Sequence, residues 1–164
     1  ERAVEASLAG AGPAELALAL ARAKAQAVSA ARPEALVIGA DQVLSCDGRV
    51  FHKSRSREEA LATLAALSGR AHRLTSAFAL ARAGEPVGEG VEAAEMTLRP
   101  LDEAALALYL EAAGPGVLGS VGVYQWEGLG AHLFERVDGD HSTILGLPML
   151  KLLAALRGLG TLAF

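Results

Sequence analysis

A short, wholly apolar run that ends in a carboxylate constrains this chain more than any other feature. The run Leu36–Ala40 is followed directly by Asp41. Such a run predicts a strand buried on both faces of a sheet. A carboxylate directly after it would lie at the sheet's carboxyl edge, where it could bind a divalent cation or orient a water as a general base. A second interpretation stays equally open, in which Asp41 only opens a turn or caps backbone amides.

The remaining segments predict helices and strands in one domain, residues 1–164. Pro13 followed by Leu16 and Leu20 predicts a helix to about Ala31. Hairpins and crossovers must share one sheet, which indicates an α/β or α+β domain with a mixed sheet. Also predicted are a hairpin closed by Asp47-Gly48, a helix capped by Ser56, long strands near 72–80 and 87–98, a helix capped by Asp102, a loop with short strands over 114–130, a strand near 131–137 and a final helix from Pro148 with Met149, Leu152, Leu153 and Leu156 inward.

Composition excludes several classes of protein. The chain has 164 residues, 52% of them hydrophobic, and a formal net charge of −4, which argues against a nucleic-acid-binding protein. The single Cys46 excludes an internal disulfide framework and a multi-cysteine metal site. No apolar run reaches the length of a membrane span, so we expect no membrane partner and a cytoplasmic location. The sequence begins at Glu1 without Met, and we expect a further N-terminal piece.

Two lysines are candidates for an anion site. Lys24 follows Leu20 by four residues and so falls on the apolar face of the first helix. It either snorkels past the edge of that face or points its charge toward Asp41, because this helix leads into that strand. Lys53 follows the small hairpin close to Arg55 and Arg57, and this cluster either holds phosphate or forms a solvated loop.

One acidic residue and the histidines complete the candidates. Glu127 lies between Trp126 and Gly128, where it either reads a nucleobase beside an aromatic ring or is an ordinary loop glutamate. Walker and dinucleotide-binding glycine motifs are missing from the sequence. The scattered histidines predict surface or hydrogen-bonded side chains rather than metal ligands; they are His52, His72, His132 and His141.

Together these segments resemble the Maf family of nucleoside triphosphate pyrophosphatases. The resemblance implies a mixed twisted sheet flanked by helices, similar to the Maf and inosine-triphosphatase folds, with a cleft at the carboxyl edge of the sheet. It rests on six motifs in the family's order: Leu20-Ala21-Arg22-Ala23-Lys24-Ala25, Ile38-Gly39-Ala40-Asp41-Gln42-Val43, Lys53, Leu67-Ser68-Gly69-Arg70-Ala71-His72, Glu127-Gly128-Leu129-Gly130-Ala131 and Gly146-Leu147-Pro148-Met149.

The resemblance implies hydrolysis of a nucleoside triphosphate between its α and β phosphates, with Mg²⁺ or Mn²⁺. Asp41 is then the catalytic base and a possible metal ligand. Lys24, Lys53 and Glu1 belong to the environment of the phosphates or the metal. Family members are often homodimers. The family's opening Ser-x-Ser-Pro-x-Arg loop does not occur in this sequence, and Lys53 is followed by Ser rather than Pro, so an inactive remnant is a further interpretation.

Two positions bear on the choice of base. Gln42 follows the candidate catalytic Asp, and Glu127 precedes Gly-Leu-Gly. This pair resembles the branch of the family that prefers 7-methyl-GTP, whereas members that prefer dTTP and UTP usually have Thr and Gln at these positions. A carboxylate agrees with that preference, since it accepts from guanine N1 and N2 and attracts a cationic methylated ring. The alternatives are a dTTP and UTP pyrophosphatase, and a nucleotide-binding regulator of cell division without catalysis.

Overall fold

The computed structural model describes Leu8 and residues 10–164, and Glu1 therefore lies outside the described part. Helices and strands follow one another without long irregular gaps. The elements are α1 (Pro13–Ala31), β1 (Leu36–Cys46), β2 (Arg49–Phe51), α2 (Arg57–Leu67), β3 (Ala71–Arg82), β4 (Glu85–Leu98), α3 (Glu103–Ala113), three 3₁₀ turns (Pro115–Gly119, Val121–Val123 and Leu129–Leu133), β5 (Phe134–Asp138), α4 (His141–Ile144) and α5 (Met149–Gly158).

The strands form one five-stranded sheet in the order β2-β1-β3-β4-β5. β1 and β2 are antiparallel, with Ser45 opposite Val50, and the turn between them carries Asp47 at φ 50° and Gly48 at φ 77°. Positive φ at both central positions is what a tight hairpin requires, which explains the Asp-Gly pair. β4 and β5 are also antiparallel, with a register shift after Thr97. The predicted combination of a sheet with flanking helices is confirmed.

The chain divides into two compact units. Among the described residues, the first comprises Leu8 and residues 10–43, 75–93 and 140–164, and the second comprises residues 44–74 and 94–139. In the first unit, Phe78 and Leu80 of β3 pack with Leu152 of α5, and Leu36 and Leu156 cover them. That a single domain spans residues 1–164 stays a prediction.

In the second unit the apolar core lies between helices and strand ends. α2 buries Leu64 and Leu67 and packs against α3, which buries Leu106. Both helices begin as the sequence predicts. Ser56 Oγ accepts from the Glu59 amide, and Asp102 accepts from the Ala105 amide at 2.8 Å. These caps fix where the helices begin.

Several predicted elements differ from the observed ones. Residues 114–130 form 3₁₀ turns and connecting loop instead of short strands, because Gly114 and Gly122 take positive φ (72° and 80°) that breaks an extended backbone. The predicted strand near 131–137 begins only at Phe134, and α4 was missed because four residues carry no periodic signal. In α5, Leu152 is buried as predicted, but Met149 is 38% exposed.

The predicted strand before Asp41 is wrong in two respects. β1 continues without a break from Leu36 to Cys46, so Asp41 lies in the middle of a strand and not directly after one. The run is also not buried on both faces, since the Ile38 side chain is 47% exposed. The apolar run and the first half of the predicted hairpin are one strand.

Of the helices in the described residues, none is long and apolar enough to cross a membrane.

Candidate functional site

Asp41 occupies an unusual position for an acidic residue. It lies in the interior of β1, and its side chain is only 12% exposed. Aspartate is depleted in strands, and a carboxylate with so little contact with water needs a compensating partner. Local sequence preference therefore does not explain an aspartate at this position. The explanation has to come from the residues that surround it in the fold.

The close approach of α1 to β1 supplies those surroundings. A Cβ atom on Gly39 would lie 2.3 Å from the Ala21 carbonyl oxygen and 2.6 Å from the Ala25 backbone nitrogen. Only a residue without a side chain allows the backbone of a helix this close to a strand. Gly39 thus sets the distance at which α1 crosses β1, two residues before Asp41.

At this crossing Lys24 meets Asp41. The Lys24 ammonium donates to the Asp41 carboxylate and lies 3.4 Å from the Ala40 carbonyl oxygen. The Lys24 side chain is 44% exposed and the Asp41 side chain only 12%. The pair therefore lies at the surface of the first unit, and the carboxylate is the more buried of the two groups. Of the two interpretations of Lys24, the structure supports a charge directed at Asp41. The catalytic roles of both residues stay predictions.

Gln42 is held by other parts of the first unit. Its amide nitrogen lies 2.9 Å from Ser76 Oγ, 3.1 Å from the Thr143 carbonyl oxygen and 3.0 Å from the Ile144 carbonyl oxygen. Backbone carbonyls only accept, so the nitrogen end of the amide must face them. The role of Gln42 in choosing the base stays a prediction.

The turn that receives Gln42 is itself tied by Asp140. This carboxylate accepts from the Ser142 hydroxyl and from the Thr143 backbone amide at 3.1 Å. The hydrogen bond from Ser142, followed by the one from the Thr143 amide, lowers the pKa of Asp140. Ser142 Oγ in turn accepts from the Met149 amide at 3.1 Å. Sequence analysis missed Asp140 and Ser76, although Asp-x-x-Thr at 140–143 is a capping pattern that could have indicated the turn.

Lys53 lies in the second unit, in the exposed loop between β2 and α2. Two contacts involve the arginines of the cluster predicted around it, and its role in holding phosphate stays a prediction. Arg57 donates to the Ala107 carbonyl oxygen of α3 at 3.3 Å, and the Arg55 amide donates to Glu59 at 2.7 Å. These contacts order the loop, in which the side chains of Lys53, Arg55 and Arg57 are all exposed.

Glu127 is exposed at the tip of a tight turn in the second unit. The Gly128 amide closes the turn on the Gln125 carbonyl oxygen at 3.1 Å. A Cβ atom on Gly130 would lie 2.4 Å from that same oxygen, so the turn requires a glycine there. The Trp126 ring packs edge-on against Phe134 at 5.6 Å between centroids. The tryptophan therefore has a packing role, whether or not Glu127 contacts a base.

His72 is buried in the second unit, with 2% of its surface exposed. Its Nε2 lies 2.6 Å from the Tyr124 hydroxyl, and its Nδ1 has no hydrogen-bond partner among the described residues. Burial lowers the pKa of His72 to about 4. Burial likewise raises the pKa of Tyr124. His72 is thus a buried residue hydrogen-bonded to Tyr124, one of the two kinds of histidine that the sequence predicts.

The described residues contain no group of three or more His, Cys, Asp or Glu side chains that could hold a metal ion. A divalent cation at Asp41 would need most of its ligands from substrate oxygens and water. Mg²⁺ is commonly held in this way, by one or two carboxylates and the phosphates of its substrate. The donor set around Asp41 fits that mode of binding and does not fit a cage built from protein ligands.

Comparison with known proteins gives one consistent result. A family model described as Maf-like protein matches residues 1–159. The chain is 54% identical to a 7-methyl-GTP pyrophosphatase of Rhizobium etli, over 99% of this chain and 82% of that protein. It is 53% identical to a nucleoside triphosphate pyrophosphatase of Bradyrhizobium diazoefficiens, over 96% of this chain and 78% of the relative. A 7-methyl-GTP pyrophosphatase of Bartonella quintana is 51% identical over 90% of this chain and 75% of its own length. The chain therefore belongs to the Maf family.

Proposed function

We propose that this chain is a nucleoside triphosphate pyrophosphatase, which hydrolyses its substrate to a nucleoside monophosphate and pyrophosphate. The names of its relatives support this activity. The observation that carries it in the structure is the Asp41 carboxylate, 12% exposed in the middle of a strand and paired with the Lys24 ammonium. A carboxylate placed against the preference of its own strand, beside a cation, is typical of a functional site.

The reaction assigns one task to each group. A water attacks the α-phosphorus, the bond from that phosphorus to the bridging oxygen breaks, and pyrophosphate leaves. Asp41, as a general base, orients the water and takes its proton. The reaction needs no covalent enzyme intermediate, because positioning and electrostatic stabilisation supply most of the catalysis in phosphoryl transfer.

Positive charge is needed where negative charge builds on the phosphate oxygens. Lys24 supplies it beside Asp41, as a compact point charge with three donors. We assign Lys53 and Glu1 to the same environment of phosphates or metal on the strength of the family resemblance. A bound Mg²⁺ or Mn²⁺ would polarise phosphate oxygens, with Asp41 as its protein ligand.

For the base we propose a preference for modified purines such as 7-methyl-GTP, read by Glu127. Relatives of similar identity carry either the 7-methyl-GTP name or the general one, so the names support this preference without deciding it. The physical argument is that an exposed carboxylate attracts a cationic methylated guanine and accepts from its N–H groups. A preference for dTTP and UTP is the alternative outcome. A cytoplasmic location and a homodimer belong to the same proposal.

Release of pyrophosphate from a panel of triphosphates with Mg²⁺ tests the activity. Asp41→Asn keeps the size of the side chain and should lower kcat by at least about a hundredfold. Glu34→Gln, in an exposed loop of the same unit, is the matched control and should leave kcat unchanged. Near-normal rates in Asp41→Asn would remove Asp41 from the mechanism. Nucleotide binding without any release by the unmodified protein would favour a binding regulator instead.

A further inference from the structure

Asp41 and Gln42 are neighbours in a strand, and their side chains have different partners. Successive side chains of a strand point to opposite faces of the sheet. Asp41 is turned toward Lys24 of α1, whereas Gln42 is turned toward Ser76 of β3 and the turn at Thr143 and Ile144. A nucleotide whose phosphates lie beside Lys24 thus meets β1 on the face away from Gln42.

The amide group of Gln42 is also fully used as a donor. Its nitrogen carries two hydrogens and has three acceptors within 3.1 Å, two of them backbone carbonyl oxygens of the turn. Ser76 is completely buried, and its hydroxyl donates to the Thr143 carbonyl oxygen at 2.7 Å. Gln42 of β1 and Ser76 of β3 therefore both donate to the Thr143 carbonyl oxygen, from two neighbouring strands.

The turn at Thr143 and Ile144, which accepts the hydrogen bonds of Gln42, is also held by residues other than Gln42 and Ser76. Asp140 accepts from the Thr143 amide and the Ser142 hydroxyl, and Ser142 accepts from the first amide of α5. Displacing the backbone of β1 at Gln42 would therefore strain a turn that is tied to the beginning of another helix. Such a displacement would have to break hydrogen bonds to the buried Ser76 and Thr143 together, since both are joined to the same turn.

We propose that Gln42 and Ser76 are positioning residues for Asp41, and that Gln42 affects the reaction through the backbone of β1 without contact with the base. The proposal rests on the proposed function and deepens it. Asp41 shares a peptide group with Gln42, so a fixed Gln42 side chain restrains the backbone from which the Asp41 side chain projects. Displacements of less than an ångström matter for a general base, because rate depends steeply on the geometry of the attacking water.

A pair of buried serines allows a matched test. Ser76→Ala removes a hydroxyl from the network, and Ser29→Ala removes one from an equally buried site in the same unit, where Ser29 accepts from the Gly84 amide at 3.0 Å. Both variants should lower the melting temperature to a similar extent. Only Ser76→Ala should lower kcat, by about three- to tenfold, with KM for the triphosphate changed less than about twofold.

Gln42→Met then separates positioning from base reading. Methionine keeps the length of the side chain and removes its donors. The kcat values for GTP, 7-methyl-GTP, dTTP and UTP should all fall by the same factor, of about tenfold or more, so that their ranking is unchanged. A changed ranking would assign Gln42 to contact with the base and overturn the proposal.

Failure of this inference and failure of the proposed function give different experimental results. If Ser76→Ala and Ser29→Ala have the same kcat as the unmodified protein, the network has no role in catalysis and the inference is wrong while the proposed function stands. If the unmodified protein releases no pyrophosphate from any triphosphate with Mg²⁺, the proposed function fails first, and the inference fails with it.

Discussion

The contact between Gly39 and α1 gives the sharpest test of how this fold builds its site. Gly39→Ala adds one carbon atom, 2.3 Å from the Ala21 carbonyl oxygen and 2.6 Å from the Ala25 nitrogen. Both are backbone atoms of α1, so no side chain can rotate away to make room. The backbone of Gly39 itself is not strained by the change, because its φ is not among the positive values. The effect of the substitution is therefore steric.

The size of the effect follows from these distances. Ordinary contact of a Cβ atom begins near 3.4 Å, so α1 has to move away from β1 by about 1 Å. Overpacking of this kind typically costs about 1–3 kcal/mol of unfolding free energy, which lowers the melting temperature of a chain of this size by a few degrees to about ten. The same shift withdraws Lys24 from Asp41, and we expect kcat to fall by about a hundredfold.

A second strand glycine provides the control. A Cβ atom on Gly88 of β4 would have the end of the Leu80 side chain as its nearest neighbour, at 3.3 Å, and not a backbone atom. Gly88→Ala should therefore lower the melting temperature less than Gly39→Ala and leave kcat intact. Melting temperature by calorimetry and pyrophosphate release by a coupled assay should be measured for both variants. Equal stability and equal kcat in the two variants would refute the reasoning that the approach of α1 positions Lys24.

Three further predictions concern single side chains. Lys24→Met should lower kcat by about a hundredfold in the pyrophosphate assay, because Asp41 and the phosphates lose their adjacent cation, whereas Arg22→Met, whose cation pairs with a different carboxylate, should not. Glu127→Gln should lower kcat/KM for 7-methyl-GTP relative to GTP, since the carboxylate that attracts the cationic base is gone; an unchanged ratio counts against its role. For His72, whose pKa is about 4 when folded and 6.5 when unfolded, only the unfolded chain gains a proton between these values. The free energy of unfolding should thus fall by up to about 3 kcal/mol as pH drops from 6.5 to 4. In denaturant titrations His72→Phe should remove this part of the pH dependence, and an identical dependence would show that His72 is not its source.

Much of the secondary structure could be predicted from local sequence. α1 spans the residues that Pro13 and the leucine spacing predict, and the caps at Ser56 and Asp102 begin their helices. The Asp47-Gly48 hairpin also forms as predicted. In each case a few neighbouring residues satisfy backbone groups or favour one backbone conformation, so no distant contact is needed. The family resemblance likewise rests on short local motifs, and the family match confirms it.

The tertiary structure alone decided how the candidate site is built. The sequence identified Asp41 but placed it after a strand, because an apolar run followed by a carboxylate gives no sign that pairing continues to Cys46. Gly39 reads locally as an ordinary strand residue, and its importance comes from a helix that begins 26 residues earlier in the chain. Ser76 and Asp140 carry no signal that links them to Gln42. Their hydrogen bonds join segments far apart in sequence, and such contacts are determined by packing of the folded chain, which no local pattern encodes.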